Sequence, residues 1–267
     1  RRKNKLLNKA MGIALKDITS DDWTTPSVGV ISHMASTSKN KETIKYFIND
    51  KSRLLGSSFH NFIDNTISRT DKLVDVDWKK VTARSQICDK TLVINLLDWT
   101  PSAMNGAAGN CQLSYSQVFD KKSGKWKYQG SHTINVGASK NWVNGLDYSK
   151  TVFTHEFGHH LGFEDVYYDK RWNQSDSVMP YNPGPNNFYR TWWSQSDINN
   201  MRALHGREND NIFKGRTFTG NNSGNKLYGG RGADKFYGLL GNDIINGGSG
   251  RDTAQFSSRS NRVNLNT

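Results

Sequence analysis

Apolar residues recur at two different periods along this chain of 267 residues, and the change of period marks out its elements. In "SSFHNFIDNTI" (57–67) the steps are three and four, which predicts a helix, and "KETIKYFINDKSRLL" (41–55) reads the same way. "LVDVDWKKV" (73–81) alternates, which predicts a strand, and "TLVINLLDW" (91–99) reads as a second, more buried strand. "CQLSYSQVFD", "KWKYQGSHTINV" and "WVNG", between 111 and 145, supply further strand-like pieces with turns between them. Residues 1 to about 25 are basic and mildly helical, until "DDWTTPSVG" breaks the pattern. Further on, a helix is expected from 151 to about 161, followed by a long loop rich in Asn, Pro and Gly. "SQSDINNMRALHG" (194–206) predicts a closing helix. Ser194 is its N-cap with Asp197 three residues on, Ile198, Met201 and Leu204 form its apolar stripe, and Gly206 ends it.

Composition narrows the class. The chain is 34% hydrophobic and 11% aromatic, with 8 Trp, which suits packed cores rather than disorder. No apolar run approaches the ~18 residues that a membrane helix needs, and the longest, "LVINLL" (92–97), is strand-sized. The chain starts at Arg1 without an apolar signal region, so a processed chain is expected. The net charge of +12 favours solubility or attraction to acidic proteins and anionic surfaces. Lys and Arg are scattered, with no zinc-finger spacing or RNA-binding aromatic motif, which argues against nucleic acid. Cys88 and Cys111 could pair if the protein is secreted, or remain two buried thiols.

The candidate chemistry lies in "TVFTHEFGHHLGFEDVYYDK" (151–170). His155 and His159, at i and i+4, share one face of a helix, as two ligands of one tetrahedral metal would. Glu156 sits beside them as a candidate general base, Gly162 lets the chain turn back, and Asp165 can supply a third ligand. His160 and Glu164 are rival ligands. His160 points about 100 degrees round the helix and is expected at the surface. Three protein ligands with one open position describe a catalytic zinc site. The other histidines, His33, His60, His132 and His205, have no paired spacing and are expected at the surface or as satisfied core residues.

From Gly220 the pattern changes to a period of nine: "GNNSGNKLY", "GGRGADKFY", "GLLGNDIIN", "GGSGRDTAQ". Position six holds Asn225, Asp234, Asp243 and Asp252, and position eight holds Leu227, Phe236, Ile245 and Ala254. This resembles the nonapeptide calcium-binding repeat of RTX proteins. Each repeat then gives a Gly-rich turn and a short strand whose position-eight residue points inward. Turns two repeats apart share a side of such a roll, which pairs Asp234 with Asp252 and Asn225 with Asp243 as candidate calcium ligands. The first repeat departs from the pattern at Ser223 and Asn225.

Downstream of the His pair, "SVMPYN" places Met179 in a tight loop with Tyr181 two residues on. With the extended histidine motif this resembles the Met-turn of the metzincin metallopeptidases. The chain looks most similar to the serralysins, through "VFTHEFGHHLG", "MPY", "SQSDINNMRALHG" and the repeats, over most of its length from about residue 73. The resemblance implies His155 and His159 as zinc ligands, Glu156 as general base, Met179 as a structural residue beneath the metal, and Tyr181 as oxyanion stabiliser. Serralysins carry His where this chain has Asp165, and the snapalysins resemble it in using Asp there. The implied fold is an α/β catalytic domain over 1–207 with a twisted, mostly parallel sheet, an antiparallel edge strand, an active-site helix and the Met-turn. A short parallel β-roll over 208–267 follows. Substrate is expected along an edge strand drawn from 131–144, and Trp192 and Trp193 beneath the Met-turn. The implied function is a secreted, monomeric zinc endopeptidase that binds calcium and acts on protein or peptide substrates. Cell-wall peptide cross-links are a narrower alternative. The rival reading is a calcium-dependent extracellular binding protein with an inactive protease-like domain.

Overall fold

In a computed structural model of the chain, the described residues are 13–36, 38, 42–50, 55–98, 107–138, 145–208, 217–231, 234–249 and 252–255. They fall into two compact units, Arg1–Arg207 and Glu208–Thr267.

The first unit is built on a five-stranded sheet of β1 (Thr43–Asp50), β2 (Asp77–Lys80), β3 (Thr91–Asp98), β4 (Gly109–Asp120) and β5 (Lys125–Ala138), in the order β2-β1-β3-β5-β4. Neighbours are parallel except β4, which runs antiparallel to β5 and forms one edge. The antiparallel edge agrees with expectation, but its identity does not. Residues 131–138 lie in β5, between β3 and β4, and the edge is β4. β4 and β5 form a hairpin, and the parallel pairing with β3 starts at Thr133, so β5 is enclosed along that stretch. Residues 139–144, with most of "WVNG", fall outside the described residues.

Two local readings are corrected. Within the 41–55 stretch, Thr43–Asp50 is an inner strand rather than part of a helix. Its steps of three and four mimic a helix, yet Thr43, Ile44, Tyr46, Phe47 and Ile48 are β-branched or aromatic and fit a pleated surface. Ile44 and Tyr46, two apart, are both buried, so the working period is two. The "DDWTTPSVG" break is instead the start of α1 (Thr24–Ala35). Pro26 lies in its first turn, where a missing N–H costs nothing, and Val30, Ile31 and Met34 follow it into the core. Of the basic N-terminal stretch, Leu15–Asp17 form a 3-10 turn and residues 1–12 lie outside the described residues.

The remaining helices are α2 (Gly56–Asp71), α3 (Gly145–His160) and α4 (Gln195–His205). α2 buries Phe59, Ile63 and Ile67 at the predicted spacing. α3 starts earlier than expected and sends Phe153, Phe157 and Leu161, just past its end, into the core shared with Ile94, Ile134 and Val136 of the sheet. α4 has its capping box, with Ser194 Oγ accepting from the Asp197 amide at 3.1 Å, and ends at Gly206 with φ 83°.

A ladder of side-chain amides crosses the sheet. Asn49 Nδ2 donates to Asn95 Oδ1 (2.7 Å), Asn95 Nδ2 to Asn135 Oδ1 (2.8 Å), and Asn135 Nδ2 to Asn110 Oδ1 (2.7 Å). The four residues stand in register on β1, β3, β5 and β4. The ladder ties the edge strand across to the centre of the sheet.

The second unit consists of short parallel strands in two small sheets. One has the order β10 (Thr253–Gln255), β8 (Lys235–Tyr237), β6 (Thr217–Thr219), and the other pairs β7 (Lys226–Arg231) with β9 (Ile244–Ser249). Lys226 aligns with Ile244, and Lys235 with Thr253, so strands two repeats apart are neighbours. Phe236 and Ile245 are buried while Lys235 and Ile244 beside them are exposed, as the expected inward position eight requires. Phe236 stacks on Phe218 with centroids 5.0 Å apart.

Candidate metal centre

α3 carries His155, Glu156 and His159 on adjoining positions of its last turns. The helix stops at His160, and Gly162 takes φ 94°, a conformation only glycine adopts without strain. Thr24 Oγ1 donates to the Gly162 carbonyl (2.7 Å), and Trp23 Nε1 donates to that of His159 (3.1 Å). The returning chain brings Asp165 opposite the two histidines.

The ring nitrogens fix what the cluster can do. His155 Nδ1 donates to the Val178 carbonyl at 3.0 Å, and His159 Nδ1 donates to the Phe163 carbonyl at 2.8 Å. Each neutral ring therefore turns the lone pair of Nε2 inward. Those two Nε2 atoms are 3.2 Å apart, and Asp165 Oδ1 lies 3.0 Å from His155 Nε2 and 3.4 Å from His159 Nε2. Three acceptors facing one another repel unless a proton or a cation sits among them. The three ligand atoms lie within 4.8 Å of one another, and this is the cluster of metal-ligating type found among the described residues. The donor set, two imidazoles and a carboxylate with an open side, fits zinc. Burial pushes the Asp165 carboxyl up, but with a proton on the facing nitrogens His155 and His159 outweigh that effect and hold the group well below the usual carboxylate range.

Glu156 is 6% exposed and faces the edge strand. Burial raises its pKa to about 7, against the lowering effects of His155 and of a hydrogen bond from the Cys111 amide, with Asp165 adding to the rise. Its Oε2 is buried with no hydrogen-bond partner among the described residues. Gly109 lets the strand come this close, since a Cβ there would lie 2.9 Å from Glu156 Cγ and 2.5 Å from Val152 Cγ1. A cavity of about 360 Å³ beside His155 and Glu156 is lined by Gly109, Val152, Tyr148, Tyr181 and Tyr189 among others.

Met179 is fully buried, with Sδ 2.7 Å from where a Cβ on Gly158 would stand. Gly158 makes room for the Met179 side chain. Tyr181 follows at the cleft, 39% exposed, with its ring 5.6 Å from that of His155. Burial and the Asp165 carboxylate push its hydroxyl pKa up, so it stays a phenol.

Some residues went unrecognised in the sequence. Asp197, read only as a capping partner, is fully buried and also accepts from Ser177 Oγ (2.5 Å) and the Val178 amide (3.2 Å). It thereby pins the segment whose Val178 carbonyl orients His155. Burial raises its pKa, and these hydrogen bonds oppose the rise. Gln174 reinforces the segment by donating to Val178 O (3.0 Å) and Pro180 O (2.6 Å). No sequence spacing announces either contact.

His160 is not at the surface. It is fully buried, where Trp78 Nε1 donates to its Nε2 at 3.3 Å. Its Nδ1–H must then donate to His132 Nδ1, 2.8 Å away. Both rings face the core, and His160 is no rival ligand. Glu164 lines the cleft but stands outside the cluster of ligand atoms. Trp193 packs 6.0 Å from Phe157 and donates to Thr70 Oγ1, while Trp192 lies under Arg69. Neither cysteine is in a disulfide.

In the second unit the anticipated pairs meet. Asp243 Oδ1 accepts from the Asn225 amide and Asp252 Oδ1 from the Asp234 amide, both at 2.9 Å. Asp234 and Asp243 are buried, and Asp243 Oδ2 has no hydrogen-bond partner among the described residues. A buried carboxylate oxygen of that kind fits a hard cation.

Comparison with known protein families matches residues 219–254 to the RTX calcium-binding nonapeptide repeat, in four copies. The match spans this stretch alone. A search of curated proteins found no match for the chain.

Proposed function

We propose that this calcium-binding RTX-repeat protein is a secreted zinc-dependent endopeptidase of serralysin-like, metzincin type. One observation carries the reading: two histidines locked into one tautomer by backbone carbonyls turn their Nε2 lone pairs onto the same point as Asp165 Oδ1. RTX repeats are typical of secreted proteins, and no helix of the described residues is long and apolar enough to cross a membrane.

His155, His159 and Asp165 would hold zinc, whose Lewis acidity acidifies water and polarises a peptide carbonyl. Glu156 is poised to take a proton from the attacking water and return it to the leaving amine, since its pKa near 7 lets it serve in both directions. Tyr181, kept as a phenol, can donate to the oxygen that gains charge. The start of β4, Gly109 to Cys111, borders Glu156 and offers edge-strand main chain to an extended peptide. Asn225, Asp234, Asp243 and Asp252 are the proposed calcium ligands of the repeats.

Metal analysis with hydrolysis of a denatured protein tests this, wild type beside Glu156→Ala. One zinc per chain in both and activity in the wild type alone is expected. Zinc in both with activity in neither would favour a calcium-dependent binding protein. A wild type without zinc would overturn the site.

A further inference from the structure

The β4–β5 hairpin runs well past the sheet that supports it. β5 pairs with β3 only from Thr133 onward, whereas its pairing with β4 continues from Leu113↔His132 out to Asp120↔Lys125. One face of this arm is aromatic. Tyr115 meets Tyr128 with centroids 5.6 Å apart, and Phe119 meets Trp126 at 5.4 Å, edge to face. The inner ring is covered, for Tyr128 packs onto Gly29 of α1. The outer rings are not: Trp126 is 64% exposed and Phe119 47%, with Tyr115 and Val118 also open to solvent.

The turn beyond that pair carries Lys121 and Lys122, while Lys125 and Lys127, which flank Trp126 in the strand, lie on the opposite face of the hairpin; all four are exposed. Asp120 is the sole acid between Gly109 and Ala138, and it is engaged by Lys127. The tip therefore joins a solvent-facing Trp–Phe pair to a surplus of positive charge. A second copy of the chain would bring the same charge. So would the N-terminal segment, with Arg1, Arg2, Lys3, Lys5 and Lys9.

We infer that the tip of the β4–β5 hairpin docks on an anionic phospholipid surface, with Trp126 and Phe119 entering the interfacial layer and the lysines meeting the headgroup phosphates. Trp partitions to that layer because its ring is amphipathic, and lysine ammonium groups rest at phosphate depth. The edge-to-face rings offer no parallel platform for successive nucleic-acid bases, which further favours lipid.

Vesicle co-sedimentation of the full chain, with calcium held constant, tests the assignment. Phosphatidylcholine vesicles are compared with vesicles containing phosphatidylserine, at low and high salt. Binding to the anionic vesicles about tenfold or more above the neutral ones, weakened by salt, is expected. Phe119→Ser with Trp126→Ser, and separately Lys121→Glu with Lys122→Glu and Lys125→Glu, should each weaken it about tenfold. Circular dichroism of each variant checks the fold. In the unaltered chain, lipids brominated near the headgroup should quench tryptophan fluorescence, and Trp126→Phe should remove most of that quenching. Absence of binding to anionic vesicles would overturn the inference. So would loss in the lysine variant with none in the aromatic one, which would assign the patch to a soluble polyanion.

Discussion

The two units hold their candidate metal sites by opposite means. In the first, the ligands are oriented before any ion arrives. His155 leans on Val178, His159 on Phe163, and Val178 on Asp197, through a core that runs from Ile13 to Met201. In the second, the buried hydrophobics among the described residues are Phe236 and Ile245, and they sit beside buried Asp234 and Asp243. Buried carboxylates with so little apolar surface described around them lead us to expect that the order of that unit depends on calcium. The first candidate site is built before any ion is bound, and the second is expected to be shaped by its ion.

The largest effect should come from Glu156→Ala, which is expected to lower peptide hydrolysis by about 10²–10⁴-fold while zinc content is unchanged. Steady-state kinetics with metal analysis measures both. Lost zinc would mean that Glu156 holds the site together, and the contrast between a prebuilt and an ion-built site would weaken.

Calcium removal sharpens the contrast further. With zinc buffered, chelating calcium should abolish amide-exchange protection of β7 to β10 and leave that of α3 and β3 in place. Asp243→Ala should reproduce the loss at calcium levels that saturate the unaltered chain. Equal protection in both units with and without calcium would show that the repeats fold unaided.

Asp197→Ala should destabilise the first unit by about 3 kcal/mol, since it strands the Ser177 hydroxyl and the Val178 and Ser194 amides. Denaturant unfolding measures it, and zinc affinity should fall with it because His155 loses its support. Gly158→Ala should cost about 1–3 kcal/mol by driving a methyl into Met179. A neutral result there would remove Met179 from the supporting layer.

The change that is smallest within any one pH unit is the pH dependence from the buried His132. Burial lowers its pKa to about 3, with His205 adding to the fall, so the folded state holds this ring neutral while the unfolded chain protonates it near the ordinary histidine value of 6.5. Its contribution is full above 6.5 and declines as pH falls toward 3, by up to about 1.4 kcal/mol per unit. Unfolding of His132→Gln across that range should show a slope shallower by about one proton.

Much of this was legible in the chain itself. The repeats could be read because period nine is local: each turn recurs in sequence at the interval at which it recurs in space, and Asp243 meets Asn225 as the spacing demands. The pairing of the two candidate ligands on α3 was legible for the same reason, helical geometry being set by near neighbours. So was the antiparallel edge, through resemblance. Which strand forms it was not, because 131–138 and 109–120 both read as strands and only pairing ranks them.

What the sequence by itself determined was therefore the period of each segment and the residue types offered to a metal. The tertiary structure decided the rest. It made 43–50 an inner strand despite helix-like spacing, buried His160 against Trp78 and His132, and turned Asp197 from a helix cap into the anchor of the Met179 loop. Those outcomes depend on partners many residues away, and no local preference of the backbone can select among partners it does not touch.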